Sequence, residues 1–136
     1  MANRKIWVYA PTKVKGFKVP DPAKVNVKAR ADDFIETFLK PHCIQPPPKK
    51  PKFNYLVDIY SKWHGHYFYF CGKYACPGPN AISPFFDLGF ARLEYIKNDF
   101  FNVSYHRHTG QWWQIENDLT LDECFKAIRN NPLLQP

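Results

Sequence analysis

Nine histidine and cysteine side chains in this 136-residue sequence can ligate a borderline metal ion: histidines at 42, 64, 66, 106 and 108, and cysteines at 43, 71, 76 and 124. His106-Arg107-His108 would set two imidazoles on one strand face, and Cys71 and Cys76 form a C-x4-C pair just before a turn-rich stretch. Zinc takes four N or S ligands, often with one pair delivered from a turn. In a simple meander, the strand starting at His66 ends near Cys76, about 30 Å away at ~3.3 Å per residue. The strand ending at His108 would finish on the same side. The candidate zinc quartet is therefore Cys71, Cys76, His106 and His108, with His64 and His66 at the opposite end. The spacing matches no standard zinc pattern, and histidines beside a hairpin are more often solvated strand residues. No cofactor is expected, with zinc as the alternative.

Acid–base and nucleophilic chemistry find less support. The sequence contains no G-x-S-x-G, Walker A, G-x-G-x-x-G or H-E-x-x-H pattern. Asp58 and Glu94 would share one side of a sheet, as general acid–base work needs, but pairing with Lys62 or Arg92 is the commoner use of such carboxylates. A Cys71 nucleophile with His106 as base depends on strand order. No catalytic residue is assigned, and a non-catalytic protein is expected, with a small hydrolase as the alternative.

Aromatic residues make up 18% of the chain, which turns attention to binding. Period-two alternation assigns Tyr55, Val57, Ile59, Phe68, Phe70, Leu93, Tyr95, Phe101, Val103, Tyr105, Trp113 and Ile115 to the core side of a sheet. The other side receives Asp58, Tyr60, Lys62, Tyr67, Tyr69, Cys71, Lys73, Arg92, Glu94, Asn102, Ser104, His106, His108, Trp112 and Gln114. This second face is aromatic and polar, with few aliphatics. Tyr60, Tyr67, Tyr69, Arg92, His106, His108 and Trp112 are its candidate binding residues, for an unidentified protein or small ligand. Single-stranded nucleic acid is the alternative, because bases stack on aromatic faces while cations track phosphates. Cross-strand aromatic pairing for stability alone would produce the same composition.

The elements that would carry these groups are readable in turn. Asp21-Pro22 marks a helix start, and Val27, Ala31, Phe34, Ile35 and Phe38 recur at helical spacing over 22–39. Lys40-Pro41 should end that helix. QPPPKKPK at 45–52 is a Pro/Lys linker of polyproline II character. Strands are expected at Phe53–Trp63, His66–Ala75, Phe90–Ile96, Phe101–His108 and Gln111–Ile115, joined by turns at His64-Gly65, 97–99 and Thr109-Gly110. CPGPNAISPFFDLG between the second and third has too much Pro and Gly for regular structure. Thr120 and Glu123 form a capping box opening a last helix, stopped at Asn130-Asn131-Pro132. Lys5–Tyr9 is a further short strand in a basic arm or edge strand at residues 1–20. The fold class is α+β: a helix, a five-stranded antiparallel meander and a C-terminal helix, with both helices on one sheet face. Residues 21–136 would form one domain.

Composition bounds the rest. A hydrophobic fraction of 45% can fill a core, which excludes wholesale disorder. No apolar run reaches the roughly 18–20 residues of a membrane span, and Ile6–Ala10 is too short for a secretory h-region. Four thiols without a signal peptide point to a reducing cytoplasm. Of the net charge of +7, residues 1–52 carry 12 Lys and Arg against 4 Asp and Glu, while residues 53–136 carry 7 against 8. The basic excess is thus confined to the N-terminal part. Finally, FIETFLKPHCI, FARLEY, GQWWQI and LTLDECFKAIRNNP resemble a family of small bacterial proteins known only as a domain of unknown function. The resemblance spans about residues 30–132, leaving out the Cys76–Asn80 segment and the first 20 residues. It implies the same order of elements and carries over no functional residue.

Overall fold

The computed structural model describes residues 18–136, so the Lys5–Tyr9 strand lies outside the described residues. Helix α1 (Asp21–Phe34) runs through a π turn (Ile35–Leu39) into α2 (Lys40–Cys43). Five strands follow: β1 (Tyr55–His64), β2 (Tyr67–Ala75), β3 (Phe85–Tyr95), β4 (Phe101–His106) and β5 (Trp112–Leu119). Helix α3 (Leu121–Asn130) and a short 3-10 turn (Pro132–Leu134) close the chain. The strands pair in sequence order, all antiparallel, as hairpin-length connections require. Residues 45–52 are exposed and carry neither helix nor strand.

The first helix differs from expectation at both ends. Pro20, not Asp21, is the capping residue, and no side chain caps the first turn. Pro41 does not stop the helix, which continues to Cys43. Proline removes an N–H and crowds the preceding turn. Here the chain widens just before it, with the Lys40 N–H reaching back five residues to the Ile35 carbonyl, a π turn that makes room for the ring. The last helix follows local signals faithfully. The Glu123 N–H donates to Thr120 Oγ1 at 3.3 Å, and the Thr120 N–H donates to Glu123 Oε1 at 2.9 Å.

Both helices contribute to one core. Val27, Ala31, Phe34, Ile35 and Leu39 meet Leu121, Cys124 and Ile128 over Ile59, Phe68, Phe70, Leu93, Tyr95, Phe101 and Val103 of the sheet. A polar tie fixes α1 across β1: buried Ser61 donates to Asp32 Oδ1 at 2.6 Å, while Lys28 Nζ donates to Ser61 Oγ at 3.0 Å and to its carbonyl at 2.9 Å. The Trp63 indole N–H donates to the Lys24 carbonyl at 3.1 Å.

Bulges account for the departures from simple alternation. In β1 the register slips between Leu56 and Asp58. Leu56, not Tyr55 or Val57, therefore packs against the core. Strand β3 begins at Phe85, five residues earlier than expected, because Phe85–Gly89 pair with Cys71–Ala75 despite the flanking Pro and Gly. A second slip at Phe70/Cys71 leaves Phe90 as an extra residue, turned into the core. In β5 two further slips lie beyond Gln114, and Trp113, expected in the core, pairs in register with Tyr105 but is left 49% exposed on the edge strand. The Arg107 guanidinium lies 4.2 Å from its ring centroid. Strand β4 stops at His106, so His108 falls in the exposed turn and the two imidazoles do not share a strand face.

Candidate functional site

The sheet face away from the helices is partly covered by its own side chains. Tyr69 pairs across strands with Arg92, Arg92 with Ser104, and His106 with Trp112, so these groups stand side by side. The Arg92 guanidinium lies 4.3 Å from the Tyr67 ring centroid and 5.0 Å from that of Trp112. Trp112 is stacked on His106 at 4.7 Å and meets Tyr69 edge-on at 5.6 Å. This layer seals what lies beneath, leaving Cys71 4% and Ser104 3% exposed.

Beside the layer is a depression of about 360 Å³, lined by Lys62, His64, Tyr69, Cys71, Gly89, His106 and Trp112. Its geometry depends on the β3 bulge, which sets Gly89 opposite Cys71. A Cβ on Gly89 would lie 3.2 Å from Trp112 Cζ2 and 3.3 Å from Cη2, so the bare backbone is what lets the indole lie down over the strand. His106 Nδ1 is 3.0 Å from the Gly89 carbonyl. A carbonyl only accepts, so Nδ1 carries the proton and Nε2 is left for other partners.

The electrostatics are one-sided. Among the described residues no carboxylate lines the depression. Glu94 is engaged by His66 at 3.3 Å and Asn102 at 3.4 Å, and Asp58 by Lys40 at 3.2 Å and the Ile59 N–H at 2.9 Å. These two acids are thus committed to separate partners and do not form a pair. Among the described residues Lys62 makes no ion pair and the buried Arg92 Nε has no hydrogen-bond partner. Burial pushes the Cys71 thiol up, outweighing the opposing effect of Lys62. Tyr60, opposite Cys71, is pushed up to about 12 by burial, with lesser effects from Cys71 and Asp87.

Of the expected binding residues, Tyr69, His106 and Trp112 line the depression, Tyr67 and Arg92 form the adjoining layer, and Tyr60 sits beside Cys71 on the edge strand. His108 stands apart in the β4–β5 turn. The zinc quartet does not assemble: among the described residues no group of three His, Cys, Asp or Glu is disposed to hold a metal ion. Cys71 and His106 do share the depression, but Cys76 lines a different hollow with Pro79, Ile82, Phe85 and Phe86. The bulge and the early end of β4 separate the four. His64, expected at the far end, joins Cys71 and His106 instead. Lys62, His64 and Gly89 were the participants that sequence reasoning missed. For Gly89 the available signal was a lone glycine flanked by strand-forming residues, which marks close approach of another group.

A larger groove, about 660 Å³, lies between α1 and α3. In it Arg30 pairs with Asp122, and Arg129 lies over the rings of Phe38 and Phe34. No helix among the described residues is long and apolar enough to cross a membrane.

No curated protein matches the chain, and neither does any solved structure. A family model does match, over residues 19–134, taking in the Cys76–Asn80 loop as well as the helices and all five strands. The chain therefore belongs to DUF3024, a family described as a domain of unknown function.

Proposed function

We propose that this protein is a non-catalytic binding module whose ligand occupies the depression on the helix-free face of the sheet. The observation that carries the reading is a concave site walled by Tyr69, Trp112 and His106, whose rings are held in place by one another and by Arg92. A wall already ordered in the free protein spares a ligand the cost of ordering it, and about 360 Å³ falls at the small end of ligand pockets. Catalysis is poorly served. The thiol that would act as nucleophile is buried and its ionisation is disfavoured, and neither Asp58 nor Glu94 reaches the site.

Extended stacking of a nucleic-acid strand has weaker support. Tyr67 is covered by Arg92 and His66, and Trp112 by His106 and Arg92, so few free ring faces remain for successive bases.

Ligand-observed NMR with a panel of small aromatic and aliphatic compounds tests the proposal. Binders are expected, and Trp112→Ala should abolish their binding while circular dichroism still reports the folded sheet. Binders indifferent to Trp112→Ala, or a panel in which nothing binds, would overturn it. Anisotropy of a labelled 12-nucleotide oligothymidine at low salt checks the competing reading, and saturable binding lost in Tyr67→Ala would favour that reading instead.

A further inference from the structure

We infer that the depression selects a flat organic anion, an aryl carboxylate or aryl phosphate, over neutral or cationic compounds of the same shape. This rests on the binding-module reading and adds the chemical class of the ligand. Among the described residues the lining carries a cation and no carboxylate. Lys62 supplies an ammonium group with no carboxylate partner among the described residues. His64 contributes an imidazole, whereas His106, whose Nδ1 proton is committed to Gly89, offers Nε2 as a donor only in its cationic form. The one backbone acceptor identified there, the Gly89 carbonyl, is already used by His106 Nδ1. Cys71 brings a thiol, a weak donor while it keeps its proton.

Behind the wall, Arg92 adds a permanent positive charge. Its guanidinium is packed between Tyr67 and Trp112 with Nε unsatisfied, and no salt bridge neutralises it among the described residues. Low-dielectric aromatic walls leave such a charge poorly screened, so its field extends into the adjoining hollow. The nearest acids lie outside the lining. Asp87 sits by Tyr60 and Cys71, and Glu94 is held by His66 and Asn102. A cation entering the depression would therefore meet Lys62 with no carboxylate in the lining to pair with, since Asp87 and Glu94 act only from outside it. An anion would gain charge-assisted hydrogen bonds. The aryl requirement follows from Trp112 and Tyr69, which offer an apolar wall beside the cationic rim.

The test uses the full chain and four probes of matched shape: benzoate, phenyl phosphate, benzyl alcohol and benzylamine, titrated by NMR chemical-shift perturbation. Benzoate and phenyl phosphate should bind about tenfold or more tightly than benzyl alcohol, and benzylamine least. The comparison of the two anions identifies which head group the rim prefers. Lys62 is exposed, so Lys62→Gln should keep the fold while weakening both anions and leaving benzyl alcohol unchanged. Equal binding of all four probes, each lost in Trp112→Ala, would overturn the anion selectivity while sparing the binding site. Failure of all four to shift any resonance near Trp112 would overturn both.

Discussion

The close approach of Trp112 to Gly89 makes the wall of the depression testable by one methyl group. An added Cβ at Gly89 would lie 3.2 Å and 3.3 Å from two indole carbons, closer than van der Waals contact. The indole has little room to retreat, because His106 stacks on it and Tyr69 and Arg92 crowd it. Overpacking of this kind costs about 1–3 kcal/mol. Against that, replacing glycine where φ is negative stabilises a chain by about 0.4–1 kcal/mol through the unfolded state, and Gly89 is not among the positive-φ glycines. Gly89→Ala should therefore destabilise the fold by roughly 0.5–2 kcal/mol. In Trp112→Phe the colliding six-membered ring edge is gone, and the same alanine should now stabilise by about 0.4–1 kcal/mol. Urea unfolding of the four proteins in the cycle measures a coupling of about 1–3 kcal/mol. Equal effects of Gly89→Ala in the two backgrounds would show that Trp112 does not lie over Gly89, and the pocket wall described above would be lost with it.

Two further predictions concern the scaffold. Cys124 is buried on the core side of α3, and burial pushes its thiol from 9.0 up to about 12. The unfolded chain ionises first, so this contribution is complete below pH 9 and falls as pH rises through 12, by about 4 kcal/mol in total. Under reducing conditions Cys124→Ala should lose stability at pH 7 yet decline less steeply between pH 9 and 11, and parallel curves would contradict this. Thr120→Ala removes one half of the capping box, so about 1 kcal/mol should be lost in urea unfolding, and no change would mean the cap is idle.

What could be read from the sequence divides along the range of the interactions involved. The α3 capping box was legible because Thr120 and Glu123 bond within one turn and need no other element. The meander was legible because hairpin-length links admit little but antiparallel neighbours. Pro41 was misleading, since the π turn that tolerates it is supported by Ile35 and Leu39 packing into a core assembled from distant residues. Strand β3 was hidden in the same way. Phe85–Leu88 follow a Pro/Gly-rich loop, and only pairing with Lys73–Ala75 and Gly72 makes them a strand. The aromatic face itself was foreseen residue by residue through Tyr69, Arg92, His106 and Trp112. The zinc quartet drawn on it failed to assemble because that construction assumed an unbroken period of two.

The bulge at Phe90 joins these threads, since one inserted residue serves both sides of the sheet. Continued alternation from Ala91 and Arg92 would send Phe90 outward and Gly89 inward. The result would be a large ring on the helix-free side and an empty place in the core. With the extra residue, Phe90 is buried within reach of Phe70, at 6.2 Å between ring centroids, and Gly89 emerges opposite Cys71. Trp112 then finds a bare backbone to lie across, and His106 finds the Gly89 carbonyl. The same irregularity that completes the hydrophobic layer under the helices therefore hollows the opposite face. Bulges re-aim side chains next to functional sites in this manner. Core packing and pocket shape are coupled here through a single backbone position, so deleting the bulge residue would damage both at once, whereas Lys62→Gln would alter the pocket's charge alone.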